Sequence, residues 1–397
     1  MTGTAEFIPQ YLGSQDINAD ADDVTAGARP ELMGERRGDP ARFAERITSL
    51  RFYGTNHAAV ALAERARIFT IGSAACDVVV PRDLAGDVAP VHATIERVEG
   101  AIRISDQVSR HGLYRRPRSP RVAELLLNAG AVGWVGGCAV MALDPDLEAL
   151  RLRLAWSVGI DAHLAVDEAL AAVVDGVPLA LVGARNLDAV ALARAIHHAG
   201  ADRERAFVSC EGTEIPPIEG FTGTLVVDLD RVRRFAASQV ATMFAAQCGA
   251  RVILLANDER GLRRHLDTYT ERVRSIALMP LGRRPQELER LLQAIWSDEL
   301  RTARRVEHLD RRALAGMAAH DWRGNFDELR AMAVRLLAYV EHRSLRRAAQ
   351  SLGVRHQTLS RHLNRIGVPV VDQADRDLAR PLAAPERSRP HRRPDPL

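Results

Sequence analysis

The chain has 397 residues, of which 47% are hydrophobic, enough for the cores of about two to four domains. Its net charge is only +3, and all 54 of its basic residues are arginine, which excludes any chemistry that depends on a lysine. The four cysteines are widely spaced, without the pattern of a zinc site, and the polar N-terminal segment has no signal-peptide or transmembrane pattern. We therefore expect a cytoplasmic protein with reduced thiols, no metal and no membrane contact.

The first part of the chain divides into a polar segment and a β-rich region. Residues 1–45 are rich in Gly, Ala, Asp and Pro without a sustained period, which predicts disorder. In residues 46–144, short β-like runs such as Ile47–Tyr53 and Ala93–Val98 alternate with turn residues, which predicts a small β-sandwich. Residues 145–160 are interpreted as a linker.

Residues 161–340 combine strands and helices. Apolar runs typical of buried strands, Leu179–Val182, Thr224–Asp228 and Arg251–Leu255, alternate with helical stretches in residues 161–280. This alternation predicts an α/β domain with a parallel sheet. The pattern of residues 281–340 is purely helical and predicts a helical lid on that domain.

Residues 341–370 have the pattern of an all-α helix-turn-helix. Leu345, Ala348 and Ala349 fall on one face of a first helix, Gly353 can end it in the left-handed conformation, and Leu359 and Leu363 share a face of a second helix. Residues 371–397 form a tail rich in Pro and Arg that is predicted to be unstructured. From residue 343 to the last residue, twelve arginines face five acidic residues, so this end carries a net charge of +7, and the rest of the chain carries −4. A basic end on an acidic body favours contact with a polyanion, although a solvated basic tail is the alternative.

The second helix of this pair predicts a DNA-reading surface. Arginine can bind guanine through two hydrogen bonds, and glutamine or asparagine can bind adenine in the same way. Arginines on the first helix are better placed to contact phosphates. The predicted DNA-binding residues are Arg355, His356, Gln357, Ser360, Arg361 and Asn364 on the second helix, with Arg346 and Arg347 on the first.

Motifs in the second half of the chain resemble those of sigma-54-dependent activators, which join an AAA+ ATPase to a Fis-type helix-turn-helix. The helix-turn-helix matches their Fis-type pattern, and Trp322–Leu329, Leu278–Arg284, Gly223–Asp228 and Gly183–His197 match their AAA+ motifs in order. The resemblance implies a nucleotide site formed around Gly183, Asp188, Ala189, Val190, Asp228 and Asn257.

The site residues nevertheless depart from the family pattern. The family's second glycine, lysine and Ser/Thr positions hold Asp188, Ala189 and Val190, although phosphate binding needs small residues, a lysine and a hydroxyl. The catalytic glutamate position is Leu229, and the sensor arginine position is Asp327. We therefore expect no catalytic residues, no ATP or Mg²⁺ cofactor and no enzymatic activity. The loop that contacts the sigma factor is also missing between residues 209 and 223.

Parts of the β-sandwich region resemble a forkhead-associated (FHA) domain. The matching stretches include Phe69–Ser73, Val91–Ile95 and Ser109–Gly112. The resemblance implies phosphothreonine binding by an arginine, a serine and an asparagine in the loops. The arginine position holds Ser73 and the serine position holds Ala89, whereas the family's histidine, which is mostly structural, is retained.

Two hypotheses follow for the sandwich. In one, a substitute cation holds a phosphothreonine, because that group carries nearly two negative charges. The residues of that site are Ser73, Arg82, His92, Arg110 and His111. In the other, the domain still binds proteins but has lost the phosphate site.

The complete sequence predicts a dimeric DNA-binding regulator with an FHA-like domain and an ATPase-inactive AAA+ core. Two alternatives remain open. One is an adaptor that depends on phosphothreonine and no longer binds DNA. The other is an ATP-driven activator of sigma-54 polymerase, which needs a phosphate-binding loop that these residues do not provide.

Overall fold

The computed structural model describes residues 47–183, 188–210, 221–231, 250–266, 271–309 and 311–368. The segments predicted to be disordered, 1–45 and 371–397, lie outside these residues, as do residues 184–187 of the region that resembles a phosphate-binding loop. Within the described part of the chain, no helix combines the length and apolarity needed to cross a membrane.

A β-sandwich of two sheets forms the first part of the described chain. One sheet has the strand order β2-β1-β11-β10-β7-β8, and the other has the order β4-β3-β5-β6-β9. The strands are β1 (Ser49–Phe52), β2 (Val60–Ala61), β3 (Ile68–Gly72), β4 (Val78–Val79), β5 (Ala93–Val98), β6 (Ala101–Asp106), β7 (Leu113–Tyr114), β8 (Arg121–Val122), β9 (Glu124–Asn128), β10 (Val132–Val135) and β11 (Cys138–Leu143).

The core of the sandwich follows from the alternation of side chains along its strands. In β9, Leu125 and Leu127 are buried between the sheets, whereas Leu126 between them is exposed. Successive residues of a strand point to opposite faces, so alternate apolar residues are sufficient to cover one face. The expected β-sandwich is confirmed.

A five-stranded sheet of order β13-β14-β15-β12-β16 forms the α/β domain, and all of its paired strands are parallel. Its strands are β12 (Leu179–Val182), β13 (Ala206–Cys210), β14 (Gly223–Asp228), β15 (Ala250–Ala256) and β16 (Arg274–Ala277). Its described helices are α1 (Pro145–Val158), α2 (His163–Val174), α3 (Ala189–Ala199) and α4 (Glu259–Leu266). Both faces are covered, since Leu181 and Ala180 lie in separate apolar cores, and so the predicted parallel sheet is confirmed.

The segment expected to be a linker, residues 145–160, instead contains α1. The Asp144 carboxylate accepts a hydrogen bond of 2.8 Å from the Leu147 amide and caps the helix, and Pro145 stands in the first turn. Leu147, Leu150 and Leu154 are buried in the core of the α/β domain. The segment is therefore part of that domain.

Five α-helices follow in the described part of the chain. They are α5 (Leu288–Ala294), α6 (Arg311–Ala318), α7 (Asn325–His342), α8 (Leu345–Ser351) and α9 (His356–Arg365). One apolar core contains Trp296 and Trp322 of the lid together with Leu359 and Leu363 of α9. The lid and the helix-turn-helix therefore share a core, and α7 crosses the expected boundary at residue 340.

A buried ion cluster joins the sandwich to the α/β domain. The Asp167 carboxylate of α2 is fully buried and accepts hydrogen bonds from Arg151 Nε of α1 (2.6 Å), Arg51 Nε of β1 (3.3 Å) and the Gly54 amide (2.8 Å). Met141 of β11 extends the apolar core of the α/β domain into the sandwich beside this cluster. The two domains therefore pack against each other through both apolar and ionic contacts.

Candidate functional site

The helix-turn-helix is built as the apolar pattern predicts. Leu345, Ala348 and Ala349 of α8 are buried, and the turn after this helix passes through Gly353 at φ +65°. A Cβ on this glycine would meet nothing within 4 Å, so the left-handed backbone alone accounts for glycine here. The Val354 amide then donates to the Ala349 carbonyl oxygen at 2.9 Å and closes the end of α8.

Five of the six predicted DNA-reading residues belong to α9, and Arg355 is the N-cap residue of this helix. Arg355, His356, Gln357, Arg361 and Asn364 are exposed. Ser360 is half-buried, and its hydroxyl accepts a hydrogen bond of 3.4 Å from the Asn364 side-chain amide. Another side of the helix is buried through Leu359 and Leu363. The exposed side of α9 and its N-cap therefore present two arginines and two carboxamides to solvent.

Helix α8 adds positive charge next to this side. Arg346 lines a groove of about 380 Å³ together with Arg355, His356 and Gln357, so the structure brings these predicted residues together. Arg347 is exposed but does not line this groove. Among the described residues, no acidic side chain forms an ion pair with Arg346 or Arg355, and their charge is available to a polyanion.

The residues of the predicted nucleotide site carry negative charge. Asp188 stands at φ +54° before α3. The Arg330 guanidinium of α7 lies 3.8 Å from the Asp188 carboxylate and 3.7 Å from the Asp327 carboxylate. The pKa of Asp188 is raised by partial burial first and then by the charge of Asp327. A phosphate group at this place would meet the same two carboxylates.

Other residues of this predicted site have contacts within the protein. Ala189 and Val190 pack against the core of the α/β domain, and Leu229, in the catalytic glutamate position, is buried. Asp228 pairs with Arg231 at 3.2 Å, and the backbone amide of Asn257 donates to the Asp230 carboxylate at 2.7 Å. Gly183 follows β12 and its amide donates to the Ala256 carbonyl oxygen. Among the described residues, no cluster of three or more potential ligands could hold a metal ion.

In the sandwich, His92 connects the loops that the FHA resemblance implicates. It is fully buried, and its Nδ1 accepts a hydrogen bond from the Ala89 amide at 3.1 Å. Its Nε2 therefore carries the proton and donates to the Gly112 carbonyl oxygen at 2.9 Å. Ser109 Oγ lies 2.9 Å from the same nitrogen. His92 thus fixes the loops and is not available to a ligand.

The remaining residues of the predicted phosphothreonine site lie around this histidine. The Ser73 amide donates to the Ala89 carbonyl oxygen at 2.9 Å, which places two of the substituted positions side by side. Arg82 and Arg110 are exposed. Half-buried His111 lies 3.8 Å from the Asp87 carboxylate. This end of the sandwich therefore offers two exposed cations on fixed loops.

Sequence reasoning missed one ionic contact at this end. Asp106 accepts a hydrogen bond from Ser109 Oγ at 2.6 Å and pairs with Arg121, which also donates to the Ser109 carbonyl oxygen at 2.8 Å. Ser109 belongs to the stretch Ser109–Gly112 that resembles an FHA domain, but nothing in the sequence marks Arg121 as a partner of Asp106. The pairing of Arg121 with Asp106 lowers the negative charge of the loops.

Comparisons with known proteins show partial similarities. No protein-family model matches the chain, and no curated protein matches it. Among solved structures, the FHA domain of the CT664 protein from Chlamydia trachomatis aligns over 24% of this chain and 95% of its own length, with 20% identity and a TM-score of 0.21. The FHA-1 domain of Rv1747 from Mycobacterium tuberculosis aligns over 24% of this chain and 94% of its own length, with 18% identity and a TM-score of 0.19.

A second kind of match covers more of the chain. NtrX from Brucella abortus aligns over 56% of this chain and 71% of its own length, with 15% identity and a TM-score of 0.34. Each of these matches is a similarity of part of the chain at 20% identity or less.

Proposed function

We propose that the protein is a DNA-binding transcriptional regulator in which α9 is the recognition helix. The observation that carries this proposal is the exposed side of α9, with Gln357, Arg361 and Asn364, next to the exposed N-cap residue Arg355, on a helix whose other side is buried. These side chains can form paired hydrogen bonds with guanine and adenine edges in the major groove. The net charge of +7 from residue 343 onward adds attraction to DNA phosphates.

The dimensions of α9 are compatible with this role. Helix α9 has 10 residues and is about 15 Å long, and an α-helix about 10–12 Å in diameter fits a major groove about 12 Å wide. Arg346 and Arg347 come from α8 and are assigned to phosphates, which orient the protein without reading the sequence. Helix-turn-helix proteins bind two-fold sites in pairs, so the protein is proposed to act as a homodimer.

The α/β domain is proposed to act as an ATP-independent scaffold. Carboxylates of Asp188 and Asp327 approach the region where phosphates would bind, and Leu229 provides no carboxylate to activate water. ATP turnover that disappears in Asp228→Ala would contradict this and would favour the ATP-driven activator.

The test of DNA binding is selection of fragments from the source genome by the purified protein at near-physiological salt, with and without ATP. We expect a two-fold symmetric motif that is enriched equally in both conditions. Recovery of fragments without sequence preference would contradict sequence-specific binding. Enrichment only with ATP would contradict the scaffold role of the α/β domain.

Two arginine variants separate base contacts from general charge. Arg361→Ala is expected to weaken binding to the selected motif by about 1 to 3 kcal/mol and to relax its sequence preference. Arg311→Ala removes the same charge from an exposed side chain at the start of α6 and serves as the control. An equal loss in both variants would indicate that Arg361 does not read a base.

A second candidate function is recognition of phosphothreonine by the sandwich. Arg82 and Arg110 are exposed on loops that the buried His92 fixes, and a fixed cationic loop suits a phosphate dianion. Capture of phosphothreonine peptides should be lost on dephosphorylation and reduced in Arg110→Ala. If plain and phosphorylated peptides bind alike, the sandwich is a protein-interaction domain without a phosphate site.

A further inference from the structure

A groove of about 330 Å³ separates the lid helix α7 from the proposed recognition helix α9. Arg335 and Met332 line it from α7, and His362 and Arg365 line it from α9. Its volume is at the lower end of the range for small-molecule sites. The groove is therefore large enough for a small organic ligand.

The charge of this groove is positive. Three arginines and one glutamate line it, so its lining has a net charge of +2 while His362 is neutral. The glutamate, Glu328, accepts a hydrogen bond from the Gly324 amide at 3.0 Å, bonds to His320 Nε2 at 2.9 Å and lies 3.8 Å from Arg365. Arg323 pairs with Asp321 at 2.7 Å. Among the described residues, no acidic side chain pairs with Arg335, so its charge is available to an entering anion.

The ionisation of His362 agrees with this charge. Burial lowers its pKa first, and the charges of Arg335 on α7 and of Arg365 and Arg361 on its own helix lower it further. An anion bound among these groups would raise the pKa of His362 and so oppose the effect of all three arginines. Exposed Ala331 lines the groove beside them, and the carbon part of a ligand can pack against it, whereas Met332 is only 2% exposed there.

The groove borders the proposed DNA-reading side of α9 at Arg361. Successive residues of a helix are about 100° apart, so Arg365 lies about 40° around α9 from Arg361, whereas His362 lies about 160° from Asn364. A ligand in the groove would therefore contact the recognition helix at the edge of the side assigned to DNA.

We propose that this groove binds a small phosphomonoester, with its phosphate on Arg335 and Arg365 and its carbon body against Ala331. A phosphomonoester carries nearly two negative charges at neutral pH, and guanidinium groups bind its oxygens in pairs. Because both walls of the groove belong to the lid and α9, occupancy would adjust the position of α9. This effect on DNA rests on the proposed function, whereas ligand binding itself does not.

The direct test is calorimetric titration of the full chain with phenyl phosphate, inorganic phosphate and phenol. Phenyl phosphate should bind at least about tenfold more tightly than either fragment, because only it supplies both charge and an apolar body. Arg335→Gln should weaken this binding about tenfold or more. Arg311→Gln, which changes an exposed side chain at the start of α6, should leave it unchanged. Binding that survives Arg335→Gln, or no saturable binding at millimolar concentration, would overturn the proposal.

A second measurement uses the selected DNA fragment. Saturating phenyl phosphate should change the affinity of the wild-type protein for DNA, measured by fluorescence anisotropy at fixed ionic strength, and should have no effect in Arg335→Gln. If the chain does not bind DNA, calorimetry still decides whether the groove binds the ligand. If Arg335→Gln weakens binding to every DNA sequence alike and phenyl phosphate does not bind, the groove is a DNA phosphate contact and the proposal is wrong.

Discussion

Replacing Asp167 by asparagine should open the junction between the β-sandwich and the α/β domain. The carboxylate is fully buried, and its two oxygens accept hydrogen bonds from Arg151 (2.6 Å), Arg51 (3.3 Å) and the Gly54 amide (2.8 Å). The side chains of Arg51 and Arg151 are only 3% and 15% exposed. Asparagine leaves both guanidinium charges uncompensated, which should lower the free energy of unfolding by about 3 to 5 kcal/mol.

The assay is urea unfolding followed by tryptophan fluorescence, together with amide exchange of Gly54, which reports local opening of the junction. The control is Asp161→Asn, which breaks an exposed pair with Arg290 and should cost less than about 1 kcal/mol. Combining Asp167→Asn with Arg51→Met should cost less than the sum of the two single changes, because the double variant no longer contains the uncompensated charge of Arg51. A loss below about 1 kcal/mol in Asp167→Asn would show that water solvates the two arginines, and the reasoning would fail.

Four further measurements test the core, a loop, the burial of a thiol and the alkaline limit of stability. Leu363→Ala removes a fully buried side chain from the shared core of the lid and α9 and should cost about 2 to 5 kcal/mol in urea unfolding. Gly112→Ala should destabilise the sandwich in thermal unfolding, because φ is +68° and the new Cβ would lie 2.2 Å from Arg121 Nε; unchanged stability would contradict this. Burial raises the pKa of Cys138 to about 11, so native Cys138 should be alkylated at pH 8 much more slowly than in urea, and equal rates would refute its burial. Burial also raises the pKa of Tyr53 to about 12, and since both groups hold their protons more tightly when folded, the free energy of unfolding should fall as pH rises from about 9 to 11.

Apolar patterns predicted much of the fold because they reflect burial directly. The continuous runs at Leu179–Val182 and Arg251–Leu255 lie in fully covered parallel strands. The apolar positions Leu359 and Leu363 are buried as the helical spacing requires. Both patterns are formed by residues that are close together in sequence, so the local sequence is sufficient to predict them.

Helix α1 was missed although its signals are present. Asp144 and Pro145 mark a helix start, and Leu147, Leu150 and Leu154 recur at helical spacing. Charged residues between them gave the segment the composition of a linker. Its burial depends on packing against α2 and the sheet, which composition alone does not reveal.

Ion pairs between distant residues could not be predicted at all. Arg51 and Asp167 are 116 positions apart, and Asp106 and Arg121 meet only because β6 and β8 are brought together. Many pairings are possible for any charged residue in a chain with 54 basic and 51 acidic residues. Only the tertiary structure selects among them.

The charge at Asp188 provides a last prediction, on the site that resembles a nucleotide pocket. Burial and Asp327 raise the pKa of Asp188, so the ionised carboxylate is less favourable in the folded protein than in the unfolded chain. Its stabilising contribution is present below the unfolded pKa and is lost as pH rises through the folded pKa. Asp188→Asn should therefore stabilise the protein at pH 7, by less than about 1 kcal/mol because the side chain is 41% exposed, and the gain should disappear at pH 3.

The matched control, Asp161→Asn, should change the free energy of unfolding in the opposite direction. Pairing with Arg290 lowers the pKa of Asp161, so Asp161→Asn should destabilise the protein at pH 7, and that loss should disappear as pH falls through the folded pKa. Urea unfolding of both variants at the two pH values measures the comparison. If Asp188→Asn is destabilising at pH 7, attraction to Arg330 outweighs the repulsion by Asp327, and the carboxylate is a stable ion-pair partner. If it is stabilising, the site disfavours one negative charge already, and a nucleotide triphosphate would bring several more to the same place.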